Sequence, residues 1–321
     1  MPMPLVMRIL QYIGFLSTEV TNILLFVLIF TRASKKIGPY KWLMASFTVF
    51  SMAYGVIEIL TQPVMHIYGS GIILFLNSFL KEDKEIGRHV AALYCSSYGV
   101  CLFLLATHFF YRYLAVCKPH LLYYLNEKRL IILFLPTVII GIVWYLAVDF
   151  ISKPTDLNME LAREDLKKYY EEDSFTVANI NSLYFYYDPA GNRVIQWLQC
   201  FEILTFSTLM TLSSSLISYF AIKIYQTVNS HHYQMSKRTQ EMQKQLFHTL
   251  LLQSIIPFFT LFLPVGLFFL FPFFEVNIGV LANVPSAYIS FYPAVDAAIA
   301  VFMIENFRNA VLVGSKRRLV N

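Results

Sequence analysis

Seven long apolar stretches constrain this 321-residue chain more than any other feature of its sequence. A helix needs ~20 residues to cross the ~30 Å hydrocarbon core of a bilayer. Seven segments reach that length, near residues 8 to 31, 41 to 66, 89 to 116, 131 to 152, 195 to 223, 247 to 273 and 279 to 304. They do not alternate apolar and polar residues as barrel strands do. We therefore expect an all-α membrane protein, a bundle of seven transmembrane helices.

The composition agrees with a membrane location. Hydrophobic residues make up 57% of the chain and charged residues only 14%, which leaves too little polar surface to coat a soluble globule. The sequence shows no nucleophile with an adjacent base, no phosphate-binding loop and no metal-ligand spacing. We therefore expect one membrane domain with no enzymatic activity, no cofactor, no metal and no nucleic-acid partner.

The distribution of lysine and arginine indicates which way the chain faces. Sixteen of the 25 lie in segments that follow the odd-numbered spans. The other nine lie on the opposite side, most of them in a long loop that also carries eight acidic residues between Asp156 and Asp188. Because short cytoplasmic loops carry the excess of positive charge, we expect the N-terminus to lie outside the cell.

One arginine occupies an unusual place in the third span. Arg112 lies in the apolar stretch HFFYRYLAVCKP, which begins at His108. Helical spacing puts both residues on one face with Tyr94 and Tyr98. A charge this close to hydrocarbon is costly unless it reaches water or a partner. Since Arg112 is only ~9 Å of helix before Lys118, we expect it at a wet cytoplasmic cleft, open to water or to an incoming protein.

Several segments resemble a known family. YRYLAVCKP resembles the (D/E)RY motif that ends the third helix of rhodopsin-like receptors. Longer segments are similar to nematode Str-type seven-helix chemoreceptors, the group of the diacetyl odorant receptor. They are GPYKWLMASFTVFSMAYGVIEILTQPVMHIY, SKRTQEMQKQLFHTLLLQSIIPFFTLFLPVG, PFFEVNIGVLANV and FYPAVDAAIAVFMIENFRNA. The resemblance runs from about Gly38 to Ala310.

This resemblance implies a rhodopsin-like architecture and a chemosensory function. The expected partners are an odorant or other small external molecule, a heterotrimeric G protein and the lipid bilayer. The expected location is the plasma membrane, in the sensory cilium of a chemosensory neuron. The sequence also departs from the rhodopsin-like pattern. Tyr111 replaces the acid before Arg112, YPAVD replaces NPxxY, LFLP around Pro264 replaces CWxP, and Gly87 stands where a cysteine would tie the third helix to the second outer loop.

Candidate ligand contacts lie in the outer and middle parts of the spans. A small, mostly apolar ligand fits a concave, aromatic-lined pocket with few polar groups. The candidates are Tyr94, Tyr98, Glu58, Glu202, Phe206, Phe268, Phe269 and Ser286. Aromatic stripes are equally consistent with plain packing, and the two carboxylates could instead extend to the outer interface.

A second group of candidates lies in the inner half and is assigned to activation and G-protein coupling. It comprises His108, Arg112, Tyr113, Asp296, Lys237, Arg238 and Lys244. We expect His108 to contact helix six or seven, with Asp296 as one possible partner. The alternative is a neutral histidine bonded to a backbone carbonyl or to water. Asp296 lies near mid-membrane, where a lone carboxylate needs a partner.

The loops and cysteines complete the sequence-based expectations. We assign 1–310 to the receptor domain and 305–321 to a short cytoplasmic tail with an amphipathic helix. In the outer loop near 153–194, alternating aromatics before DPAGN and apolar residues after it indicate a β-hairpin, a lid over the pocket or a solvated acidic spacer. Cys95 and Cys200 could pair if their Cα atoms come within ~7 Å.

The leading function is a G-protein-coupled chemosensory receptor. The alternative is a ligand-gated channel or small-solute transporter. Secondary transporters usually contain two related halves, and this sequence shows no such internal similarity. Within the receptor class, apolar pocket candidates favour a small molecule, whereas the acidic outer loop leaves a basic peptide open.

Overall fold

The computed structural model describes residues 3–33, 38–122, 124–125, 129–228 and 237–318, with the backbone alone at 3–4, 237–240, 261 and 313–318. Within these ranges, seven helical segments are long and apolar enough to cross a membrane. We call the end that carries the excess of lysine and arginine the cytoplasmic end, and the opposite end the outer end.

The helices follow one another in chain order. They are α1 (Met3–Arg32), α2 (Tyr40–Thr61), α3 (Lys84–Cys117), the short α4 (Pro119–Leu122), α5 (Leu135–Ile151), α6 (Asp156–Tyr170), α7 (Trp197–Val228), α8 (Lys237–Pro257), α9 (Leu263–Leu270), α10 (Val284–Met303) and α11 (Glu305–Arg318). A 3-10 turn precedes α5 at Arg129–Phe134, and another precedes α10 at Gly279–Asn283. In order, the seven membrane helices are α1, α2, α3, α5, α7, α8 with α9, and α10.

The third helix is the centre of the bundle. α3 packs on α2, α5 and α7 and is largely buried from Cys101 to Arg112. α1 packs between α2 and α10. By contrast, α5 and α7 turn one apolar side outward, and their exposed leucine, isoleucine and phenylalanine side chains would face lipid. The buried and exposed faces therefore divide the bundle into a packed interior and a lipid-facing surface.

The second helix ends five residues earlier than its hydropathy suggests. The sequence placed this span at 41 to 66, but α2 stops at Thr61. Gln62 adopts a left-handed conformation with φ of 43°. Proline disfavours helical geometry in the residue before it and lacks an amide hydrogen, so Pro63 stops the helix. The remaining apolar residues form a strand.

A three-stranded antiparallel sheet covers the outer end of the bundle. Its strands are β1 (Pro63–Tyr68), β2 (Gly71–Leu76) and β3 (Asn179–Leu183). β1 and β2 form a hairpin in the first outer loop, and β3 from the second outer loop pairs with β2. α6 lies on this sheet, with Ala162 and Leu166 fully buried against it. We call the sheet and α6 together the cap.

The second outer loop also contains a short hairpin. β4 (Phe185–Tyr187) pairs with β5 (Arg193–Ile195) on either side of the DPAGN segment in which the sequence indicates a turn. The Asp188 carboxylate accepts hydrogen bonds from the backbone amides of Ala190 and Asn192. Those bonds stabilise the ionised form and lower the pKa of Asp188 below its usual range.

The cap is bound to the third helix by close packing. A Cβ atom on Gly87 would lie 2.4 Å from the Cβ of Ala178, so only glycine allows this approach. Two backbone bonds flank the contact: the amide of Ala178 donates to Lys81, and the amide of Leu76 donates to Ala178. The four cysteines of the chain are all free thiols, so the pairing that the sequence left open is not formed.

The sixth membrane helix is irregular near its middle. α8 ends at Pro257, and the five residues Phe258–Phe262 form a π-helix before α9 begins. Pro264 lies in the first turn of α9. Each proline removes a backbone hydrogen bond and a π-turn widens the helix, so the two halves are joined by a weakened segment.

Candidate functional site

A cavity of about 110 Å³ lies in the outer half of the bundle, below the cap. Aromatic side chains form much of its wall, and five of them come from three helices. Tyr94 and Tyr98 come from α3, Phe206 from α7, and Phe268 and Phe269 from α9. Helical spacing puts Tyr94 and Tyr98 one turn apart on the buried face of α3. All five are among the ligand contacts that the sequence proposes.

Further lining residues were not identified from the sequence. Trp144 of α5 stacks on Phe206 with ring centroids 4.2 Å apart and an interplanar angle of 4°. Met65, Ile72 and Ile180 come from the three strands of the cap and line the outer side of the cavity. A turn sequence, Tyr-Gly-Ser-Gly at residues 68–71, separates the two strands of the first hairpin and could have indicated it.

Glu202 borders the cavity through two serines. Its buried carboxylate accepts a hydrogen bond from Ser152 Oγ at 2.8 Å and another from Ser182 Oγ at 3.4 Å. Both serines line the cavity, whereas Glu202 itself does not. The carboxylate therefore joins the end of α5, β3 and α7, and the two serines stand between it and the cavity.

Two other candidates, Glu58 and Ser286, are not among the lining residues of this cavity. Glu58 lies on the face of α2 that meets α10, where Ser290 Oγ donates a hydrogen bond to its carboxylate. Ser286 is fully buried on α10, one turn before Ser290. Both residues lie at the junction of helices two and seven rather than in the cavity wall, and their role in ligand binding stays a prediction.

Arg112 is enclosed at the cytoplasmic end of α3. Its side chain is 3% exposed, and Nη1 donates a hydrogen bond to Gln243 Oε1 of α8 at 2.9 Å. The guanidinium carbon lies 3.7 Å from the ring centroid of Tyr40, at the start of α2. The expectation that Arg112 opens to a wet cleft is wrong for this structure, since its side chain is buried and is contacted by an amide and an aromatic face.

The residues next to Arg112 pack separately. Tyr111 replaces the acid of the rhodopsin-like motif and stacks on Tyr40, with centroids 5.6 Å apart. Tyr113 turns the other way and contacts Phe220 of α7 at 5.3 Å between ring centroids. The arginine is therefore bound between helices two and six, while the tyrosine that follows it packs against helix five.

His108 and Asp296 lie farther from the cytoplasmic end than Arg112 does, beside a second cavity of about 30 Å³. That volume is enough for one water molecule. His108 Nδ1 lies 3.3 Å from Tyr40 Oη, so its partner is on helix two rather than on helix six or seven. Asp296 Oδ2 instead accepts a hydrogen bond from Gln253 Nε2 of α8 at 2.9 Å. The two residues line the same cavity without bonding to each other.

The structure describes only some of the basic residues that the sequence assigns to G-protein coupling. Lys244 is half-buried on α8, next to Gln243. The side chains of Lys237 and Arg238 lie outside the described residues, although their backbone begins α8. Within the part of the chain that the structure describes, no cluster of His, Cys, Asp or Glu could hold a metal ion.

Comparison with known proteins decides the family. A family model described as "serpentine type 7TM GPCR chemoreceptor Str" matches residues 7–312. The chain belongs to the Str family of seven-transmembrane G-protein-coupled chemoreceptors. This Str receptor is 31% identical over 300 residues to serpentine receptor class r-10 of Caenorhabditis elegans, covering 93% of this chain and 88% of the relative.

More distant relatives agree with this assignment. G-protein coupled receptor str-33 of C. elegans is 24% identical over 307 residues, covering 95% of this Str receptor and 89% of the relative. Among solved structures, squid rhodopsin matches with a TM-score of 0.65 at 11% identity, covering 97% of this chain and 85% of the rhodopsin chain. The resemblance and architecture expected from the sequence are therefore confirmed: the chain is a multi-pass membrane receptor with the seven-helix receptor fold and does not belong to an enzyme family.

Proposed function

We propose that this receptor binds a small, mostly apolar external molecule in the outer cavity and activates a heterotrimeric G protein at its cytoplasmic end. Tyr94, Tyr98, Phe206, Phe268 and Phe269 would contact the ligand. The cavity supports this assignment because it is concave, largely apolar and provided with a few hydroxyl and amide groups. Its volume of about 110 Å³ and its position below the cap favour a small molecule over a basic peptide.

The proposed activation mechanism depends on one contact at the cytoplasmic end of the bundle. The hydrogen bond from Arg112 to Gln243 joins α3 to α8 and lies inside the bundle. Breaking it would free both the guanidinium and the cytoplasmic end of α8. We infer that the ligand favours a second helix packing in which α8 moves outward and Arg112 meets the G protein.

The remaining inner residues would support the same transition. Asp296 and Gln253 join α10 to α8, and His108 joins α3 to α2 through Tyr40. Both contacts connect helices that separate or slide when α8 moves. We propose that they are switch contacts, and that Tyr113 and Lys244 contribute to the G-protein surface.

Substitution of Gln243 tests the mechanism in two directions. A hydrogen bond to a charged group contributes roughly 1.5–3 kcal/mol, so its loss should shift the balance of closed and open packings by roughly 10- to 100-fold. Gln243→Leu should therefore raise signalling without ligand. Gln243→Glu would create a stronger, charge-assisted bond and should lower it. The measurement is basal G-protein activation in a heterologous cell at matched surface expression.

Gln245→Leu is the matched control, since it makes the same change two residues along the same helix. We expect its basal signalling to equal that of the wild type. The mechanism is rejected if both Gln243 variants also behave like the wild type. Arg112→Ala should abolish signalling in every background, and retained signalling at equal surface expression would also contradict the proposal.

We also propose that the receptor acts in olfaction, at the plasma membrane of a sensory cilium, as its similarity to Str chemoreceptors suggests. A fluorescent fusion expressed from the native promoter tests the location. Ciliary fluorescence is expected, and fluorescence restricted to internal membranes of the cell body would contradict it.

A further inference from the structure

The cap closes the outer cavity on the side that faces extracellular water. Side chains of β1, β2 and β3 form the outer wall of the cavity, and every residue of β3 is buried. α6 covers the other face of the sheet. A solute arriving from water would have to pass through two hydrogen-bonded layers. Direct access from outside therefore requires much of the cap to open.

The side of the cavity that faces lipid is more weakly closed. α7 packs along α3, and near the cytoplasm it packs on α8, but it makes little contact with α9. Between α7 and α9 the cavity wall includes Phe206 and Phe269, whose ring centroids are 6.3 Å apart. A Cβ atom on Gly266, one turn before Phe269, would meet no atom within 4 Å. We call this boundary between α7 and α9 the lateral seam.

α9, the helix on one side of the lateral seam, is weakly connected to the rest of the bundle. α9 follows the π-helix Phe258–Phe262, and Pro264 lies in its first turn. Phe268 is the only residue of α9 with a buried side chain. A short segment with so little buried surface and a weakened connection to α8 can tilt at low cost. Tilting would separate Phe269 from Phe206 and widen the seam.

The chemistry of the cavity matches an approach through lipid. None of its lining residues, all within the described ranges, carries a charge. The lipid-facing residues of the two helices are apolar as well, among them Leu204 and Leu270. A charged solute would pay a large desolvation penalty along this route and meet no charged side chain among the lining residues.

We propose that ligands of this receptor are uncharged molecules that partition into the bilayer and reach the cavity through the lateral seam between α7 and α9. This inference rests on the proposed function only in taking the outer cavity as the ligand site. Access can be measured without a ligand or a G protein, so a failure here is distinct from a failure of the signalling mechanism.

Cys95 provides the probe, because its thiol lines the cavity. The full-length receptor carrying Cys101→Ala, Cys117→Ala and Cys200→Ala would retain one cysteine. This protein, in liposomes, is exposed to N-ethylmaleimide, which enters lipid, or to a trimethylammonium methanethiosulfonate, which stays in water. We expect Cys95 to react with the maleimide and to be protected from the charged reagent. Rapid reaction with the charged reagent would overturn the proposal.

A bulky side chain at the lateral seam tests whether the reagent enters from lipid at this place or by another route. Gly266→Trp in the same background should slow labelling by N-ethylmaleimide several-fold, because the indole would fill open space beside Phe269. Leu267→Trp is the control, since position 267 faces lipid on the opposite side of α9 from the cavity-lining residues. Equal labelling rates in the two variants would overturn the proposal. Thermal unfolding of each variant verifies that the protein remains folded.

Discussion

Gly87 is the residue at which the third helix meets the second outer loop. A Cβ here would approach the Cβ of Ala178 to 2.4 Å and the carbonyl oxygen of Leu80 to 3.1 Å. The first distance is shorter than side-chain atoms tolerate, and one of the two obstacles is backbone. The contact between α3 and the cap therefore depends on the absence of a side chain at this position.

Enlarging Gly87 should destabilise the receptor. Gly87→Ala must displace α3 or β3, and overpacking of this kind costs about 1–3 kcal/mol. We expect a lower midpoint of thermal unfolding in detergent and a larger loss for Gly87→Val. Gly266→Ala makes the same exchange inside a helix where the new methyl group meets open space, so its midpoint should stay the same or rise. Equal midpoints for the Ala variants would contradict the packing argument.

Tyr40 contacts two residues of the inner half of the bundle through separate groups of atoms. Its ring lies against Arg112, and its hydroxyl lies near His108. Tyr40→Phe removes only the hydroxyl contact, whereas Tyr40→Leu also removes the cation–π contact, which contributes about 2 kcal/mol when desolvated. We expect basal G-protein signalling to rise in the order wild type, Tyr40→Phe, Tyr40→Leu. Comparable signalling from all three at matched surface expression would show that the ring does not restrain Arg112.

Among the elements, the cap contains a buried histidine that makes its stability depend on pH. His66 of β1 lies 3.2 Å from Tyr170 Oη and 3.4 Å from Asp165 Oδ2, and the ring of Tyr169 packs beside it. Burial lowers the pKa of His66 below its usual value, although the Asp165 carboxylate acts in the opposite direction. Burial also raises the pKa of Tyr170 to about 12, so this hydroxyl stays protonated.

Acidification should therefore loosen the cap. At neutral pH His66 is uncharged whether the cap is closed or open, and it makes no contribution to pH dependence. As the pH falls below the ordinary histidine pKa, the open form takes up a proton first and becomes favoured. We expect hydrogen exchange of β1 and β2 amides, corrected for intrinsic rates, to be less protected at about pH 5.5 than at about pH 7.5. His66→Gln should remove the difference.

The three-stranded sheet of the cap is also the element that the sequence failed to predict. β1 and β2 are buried on both faces, by α6 above and by the bundle below. A strand covered on both sides reads as a continuous apolar run, which resembles the end of a membrane helix. The short β4–β5 pair was easier to anticipate because its turn residues are diagnostic. The wall residues Tyr94 and Phe206 could be proposed from the sequence, but Ile180 reaches the cavity only through the pairing of β2 with β3, which joins two outer loops and which no local pattern specifies.

At the scale of the whole molecule, the lengths and the buried faces of the helices determine the fold. Squid rhodopsin shares 11% of residues with this chain, yet the two agree with a TM-score of 0.65. Seven apolar segments determine how often the chain crosses the membrane, and the buried face of each helix determines which helices it packs against. Individual motifs are free to differ, as Tyr111 and the YPAVD segment show.

The charge distribution makes a prediction about orientation. We expect an epitope tag on the N-terminus to be stained by antibody on intact cells, and a tag on the C-terminus to be stained only after permeabilisation. Both tags can be carried by one protein, so that each serves as the control for the other. Staining of the C-terminal tag alone on intact cells would reverse the topology and exclude G-protein contact at Arg112.

The contact between Gly87 and Ala178 has a consequence for how the receptor can be made. Its outer surface is assembled by van der Waals packing and strand pairing, with all four cysteines as thiols. We therefore expect folding to proceed without an oxidase or a disulfide isomerase, and dithiothreitol to leave the mature receptor intact. A cell-free translation system supplied with lipid nanodiscs and kept fully reducing should yield correctly folded protein.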